Sequence, residues 1–85
     1  MIERIKELHP EEDFSYRIEQ YDDAIIGVAE DFNSPIRLIY SVKKYIDILI
    51  SESMTEEDAL EHFSYNVEGA YLGPKTPIWC QDRFE

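Results

Sequence analysis

Two histidines, one cysteine and nineteen carboxylates are the side chains of this 85-residue chain with the most obvious capacity for chemistry. His9 and His62 lie far apart in sequence, and neither has a partner at metal-ligand spacing. Glu61 and His62 adjoin on one helical segment, where consecutive side chains point about 100° apart rather than together. His62 therefore reads as a surface or half-buried structural residue, and His9, before Pro10, as a turn residue. Cys80 has no base placed beside it by spacing and reads as a buried apolar thiol. Alone it can form neither an internal disulfide nor a metal cluster. Gly69-Ala70-Tyr71-Leu72-Gly73 lacks the Lys and Ser/Thr of a phosphate-binding loop. Carboxylate pairs arise by chance at this density, so no acid–base pair stands out. The expectation is a protein that is not an enzyme and takes no metal or cofactor.

The charge carries more information. Nineteen Asp and Glu against eight Lys and Arg give a net charge of −11. Such a surface repels nucleic acid and anionic membranes at long range, which argues against direct binding to either. Two readings stay open: the acids keep a small protein soluble, or they steer it to a basic surface on another protein. The candidate partner-binding acids are Asp22, Asp23, Glu30, Asp31, Glu56, Glu57, Asp58 and Glu61. Phe32, in a turn with little core to reach, and Tyr71 are the candidate aromatic anchors. The six tyrosines serve either as core or as interface residues. The longest apolar stretches, Ala24 to Ala29 and Ile46 to Ile50, fall well short of the ~20 residues of a membrane span. The first residues carry no apolar export signal, and the lone cysteine suits a reducing cytoplasm.

These residues need a scaffold, and aliphatic and aromatic content is ample for one. Residues 1–85 read as a single acidic α+β domain. Ile2, Ile5 and Leu8 mark a short amphipathic helix. Pro10 opens a second, with Phe14, Ile18 and Tyr21 as its stripe, ending near Asp22-Asp23. Ala24–Ala29 reads as a strand, apolar on both faces and so central or covered. Gly27 within it signals a bulge or a close backbone approach. Glu30–Pro35 is a turn by composition, and Ile36–Tyr40 returns as the antiparallel partner, with Ile36, Leu38 and Tyr40 on one face. Ser41 can cap the next helix, whose core stripe is Val42, Tyr45, Ile46 and Leu49. Ile48 and Ile50 lie off that stripe and are candidates for self-association. Thr55 is a helix N-cap followed by three acids that favour the helix dipole. Ala59, Leu60, Phe63 and Val67 form that helix's stripe, and Gly69 can end it. Ile78-Trp79-Cys80 is a short C-terminal strand. The fold class is α+β: a small antiparallel sheet, hairpin plus C-terminal strand, with helices packed on one face.

Several segments resemble a widespread group of small phage-encoded proteins of unassigned function. They are Tyr21–Val28, Tyr40 with Ile46 and Leu49, Met54–Ala59, Tyr65–Gly73 and Thr76-Pro77-Ile78. The most specific mark is Asn66-x-x-Gly69-Ala70-Tyr71-x-Gly73-x-x-Thr76-Pro77-Ile78. It has a plain structural reading, with Asn66 bonding a helix end, Gly69 and Gly73 permitting positive φ, and Thr76-Pro77 restraining entry into the last strand. The first 20 residues and Cys80–Glu85 lie outside the resemblance. The resemblance implies a phage protein in the host cytoplasm. By analogy of context, such a protein binds and inhibits a host protein, either in an anti-phage defence system (restriction, BREX-like or CRISPR) or in nucleic-acid handling. The alternatives are an acidic mimic of nucleic acid and a structural or accessory phage protein acting as a homo-oligomer. Small size and surplus apolar surface favour a homodimer slightly over a monomer.

Overall fold

The computed structural model describes residues 1–14, 19–31, 34–65 and 76–84. Helix α1 (Ile2–Leu8) comes first, followed by a 3₁₀ segment (Glu19–Ala24). Strands β1 (Ile25–Asp31) and β2 (Ser34–Ser41) lead into helices α2 (Val42–Ser51) and α3 (Glu56–Phe63), and β3 (Ile78–Cys80) closes the sheet. The fold is α+β with one small three-stranded sheet in the order β1-β2-β3.

β2 is the central strand. It pairs antiparallel with β1 and parallel with β3, where Tyr40 lies opposite Trp79. The sheet is therefore mixed, not antiparallel as expected. The physical reason is the connection: a chain that leaves β2 through two helices returns by a crossover, which allows the parallel direction that a tight turn forbids. β1, expected to be central or covered, is an edge among the described strands, and Ile26 and Val28 are only half-buried. The register slips between Ile25 and Gly27, so the bulge at Gly27 is present. The close approach is not, since a Cβ at Gly27 would meet nothing within 4 Å.

The hairpin strands run further than composition suggested. Glu30 and Asp31 belong to β1, and Ser34 and Pro35 to β2; Phe32 and Asn33 lie outside the described residues. The helix expected from Pro10 is replaced in its described parts by a turn at Pro10–Glu11 and the 3₁₀ segment. Phe14 and Tyr21 are nonetheless buried, and Ile18 lies outside the described residues. Burial selects these two apolar positions whatever the local helix type. In α1, Ile2 and Ile5 enter the core while Leu8 stays exposed.

α2 presents Val42, Tyr45, Ile46 and Leu49 to the core, every one of them buried. Its back end is a Schellman closure: Met54 N–H donates to Leu49 C=O at 3.1 Å and Ser53 N–H to Ile50 C=O at 3.0 Å. Ser53 takes the left-handed position, φ 81°, where glycine is the usual occupant. α3 opens at Thr55, whose hydroxyl accepts from Asp58 N–H at 3.1 Å. It buries Ala59 and Phe63, with Leu60 packed at the margin; Val67 and Gly69 lie outside the described residues.

An aromatic cluster joins these elements. Tyr40 stacks on Trp79 with centroids 4.9 Å apart. Tyr45 meets Trp79 edge-on at 5.2 Å, and Phe63 meets Trp79 at 5.3 Å. Tyr21 packs on Tyr45 at 4.6 Å. Both long helices thus reach the same side of the sheet through one tryptophan, as the expected one-face packing requires.

Candidate functional site

Asp82, two residues past β3, sits at the start of α2. Ser41 Oγ donates to its Oδ2 at 2.5 Å and Lys43 N–H donates to its Oδ1 at 2.8 Å. Ser41 Oγ also accepts from Lys44 N–H at 3.0 Å, so the expected cap is present. Ser41 is fully buried, and its hydroxyl links the local cap to a distant one. Burial pushes the Asp82 carboxyl up. The hydrogen bonds from Ser41, Lys43 and its own backbone, with the Lys43 charge, outweigh this and leave it below the usual carboxylate value. A carboxylate at a helix N-terminus is also favoured by the dipole.

Arg83 turns the other way. Its Nη2 lies 2.7 Å from Glu56 Oε1, which ties the segment after β3 to the first residue of α3. Phe84 follows and is 87% exposed. Lys43, Asp47, Glu56, Arg83 and Phe84 together line a shallow cleft of about 190 Å³. Its two cations balance its two carboxylates, so it is a mixed polar cleft beside an aromatic ring.

The second polar feature is internal. Tyr45 Oη lies 2.6 Å from His62 Nδ1, across from α2 to α3. Burial, with Tyr21 beside it, pushes the Tyr45 phenol far above its ordinary value, so it remains protonated. A phenol held protonated is a poor nucleophile, and the half-buried histidine is a packing partner of the aromatic cluster, as expected from sequence. Cys80 is half-buried rather than buried. Among the described residues no group of three or more His, Cys, Asp or Glu is placed to hold a metal ion. No described helix is long and apolar enough to cross a membrane.

The predicted partner-binding acids are dispersed. Glu57, Asp58 and Glu61 are exposed on α3, and Glu56 is the one drawn into the cleft. Asp23 is exposed and Asp22 half-buried in the 3₁₀ segment. Glu30 is exposed with its Oε1 3.4 Å from His9 Nε2. Asp31 ends β1, its side chain outside those described. Phe32, Tyr71 and the motif from Asn66 to Lys75 lie outside the described residues. Ile48 packs against the core and Ile50 is 40% exposed. Two residues apart on a helix, they face different ways and do not form one patch. Of the tyrosines, Tyr21, Tyr40 and Tyr45 are core, whereas Tyr65 is 81% exposed.

Sequence reasoning missed Asp82, Arg83 and Phe84. No periodicity marks them, because their partners lie 41 and 27 residues away. No protein-family model, no curated protein and no solved structure matches this chain.

Proposed function

We propose that this protein is a non-enzymatic binder that docks its acidic exterior on a basic surface of another protein and blocks it. One observation carries the reading: several acids are exposed, while each described arginine is engaged by another group of the chain. Glu57, Asp58, Glu61, Asp23 and Glu30 are exposed. Arg4 pairs with Glu7 at 3.0 Å, Arg37 donates to Thr76 C=O at 2.6 Å, and Arg83 holds Glu56 at 2.7 Å. The resulting negative field steers association with a positive partner. On the resemblance to small phage proteins, the partner is a host protein of a defence system or of nucleic-acid handling, met in the host cytoplasm.

The test is affinity capture from bacterial lysate with and without nuclease, followed by association kinetics with the purified partner. The expected result is one dominant basic partner that survives nuclease, with an association rate that falls steeply as salt rises. A partner whose association ignores salt overturns the electrostatic reading. Competition with nucleic acid for that partner would identify mimicry, and a ternary complex would exclude it. A defined homo-oligomer that captures nothing would replace the binder by a self-assembling accessory protein.

A further inference from the structure

The segment after β3 combines restraint with exposure. Asp82 is fixed by two hydrogen bonds at the start of α2, and Arg83 by an ion pair to the start of α3. The next residue, Phe84, is held by this pair of attachments yet is 87% exposed, the most exposed of the large hydrophobic side chains described. An exposed aromatic on a loose end is unremarkable, since ordering it on binding offsets what its burial gains. An exposed aromatic whose two preceding residues are already fixed has that ordering largely done. Phenylalanine also offers large apolar area with only two rotatable side-chain bonds, the profile of an interface anchor.

The surroundings select the partner. The cleft beside Phe84 is charge-balanced, with Lys43 and Arg83 against Asp47 and Glu56, so it contributes shape rather than net attraction. The acids that continue α3, Glu57, Asp58 and Glu61, are exposed, and α3 itself carries no Lys or Arg to offset them. Resting on the binder reading above, we infer that Phe84 is the apolar anchor of a docking surface whose partner is a protein presenting an apolar pocket bordered by lysine and arginine. The roles divide physically: the acids govern the rate of encounter, and Phe84 governs how long the complex lasts. Arg83 is a positioning residue that sets where the ring is presented.

The test uses a random 16-residue peptide library selected against the full chain as the probe, with enriched peptides measured against variants by biolayer interferometry. Enriched peptides are expected to join aliphatic or aromatic residues to lysine or arginine. Phe84→Ala should weaken them about tenfold or more, chiefly by faster dissociation, and Phe84→Trp should retain binding. Arg83→Ala is the sharper variant, because it makes the protein more negative. Charge alone predicts tighter binding of a basic peptide, whereas loss of positioning predicts weaker binding, by about threefold. Amide spectra of each variant verify that the fold is intact. Enriched basic peptides that bind Phe84→Ala as well as the parent overturn the anchor while leaving the acidic binder standing. Failure to enrich any peptide, or enrichment of peptides without basic residues, overturns the proposed partner chemistry.

Discussion

α2 and α3 are neighbouring helices of similar length with opposite allegiances. α2 buries Val42, Tyr45, Ile46 and Leu49, receives a cap from Ser41 and Asp82 at its front, and closes with a Schellman turn at its back. α3 buries only Ala59 and Phe63 and turns Glu57, Asp58 and Glu61 to solvent. The charges of Glu57, Asp58 and Glu61 thus lie outside the packing, whereas Glu56 is tied to Arg83. At the start of α2 the polar groups are themselves structural. Ser41 is buried, and Asp82 closes a path from β3 back to the helix start. The contrast separates residues that hold the molecule together from residues that face solvent.

The largest effect that could break this division lies at Tyr45. It is fully buried and touches Tyr21, Phe63, Trp79 and His62. Tyr45→Ala should cost about 3–5 kcal/mol, as for other buried aromatics, and leave little folded protein. Urea denaturation followed by Trp79 fluorescence measures it, and a loss below about 1 kcal/mol would mean that α2 is not the organising helix. Next is Ser41→Ala, which removes one cap and a hydrogen bond to Asp82. About 1–2 kcal/mol should be lost in the same assay.

Ser53→Gly should act in the other direction. The left-handed backbone at φ 81° favours glycine, so the substitution should stabilise by about 0.5–1 kcal/mol. A rise in melting temperature checks it. The Asp82 cap predicts a pH dependence. Its folded carboxyl titrates below its unfolded value, so its contribution is whole above about pH 4 and disappears as pH falls through the lowered folded value. Asp82→Asn should flatten that acid limb in denaturation midpoints taken across the acid range. The smallest stability effect belongs to α3: Glu57→Gln with Glu61→Gln should change stability by less than about 0.5 kcal/mol. The same pair should slow association with a basic partner. Loss of stability without loss of association rate would reverse the assignment of the two helices.

Part of the candidate site was open to reading from sequence, and the part that organises it was not. Ser41 and Thr55 were recognisable as caps because each bonds a backbone N–H three residues on. The exposed acids of α3 were recognisable because charge seeks water. Phe84 was not, since its presentation depends on where Asp82 and Arg83 find partners. Ile48 and Ile50, which share a place off the α2 stripe, part company in the structure because α2 is wrapped on more than one side, giving Ile48 to the core and Ile50 to solvent.

Sequence by itself determined the local elements: the hairpin strands, the core stripe of α2, both helix caps and the acidic exterior. Each rests on interactions within a few residues or on a simple preference for water or core. Tertiary structure decided that β3 runs parallel to β2, that Tyr40, Tyr45, Phe63 and Trp79 meet as one cluster, and that Asp82 caps a helix 41 residues earlier in the chain. It also decided that the stretch expected as one helix from Pro10 to Asp22-Asp23 holds, among its described residues, a turn at Pro10–Glu11 and a 3₁₀ segment, although Phe14 and Tyr21 are buried as their spacing foretold. The reason is common to all of these. Burial and capping at short range are written residue by residue, whereas strand direction and distant contacts follow from how the chain returns across two helices to a sheet already formed.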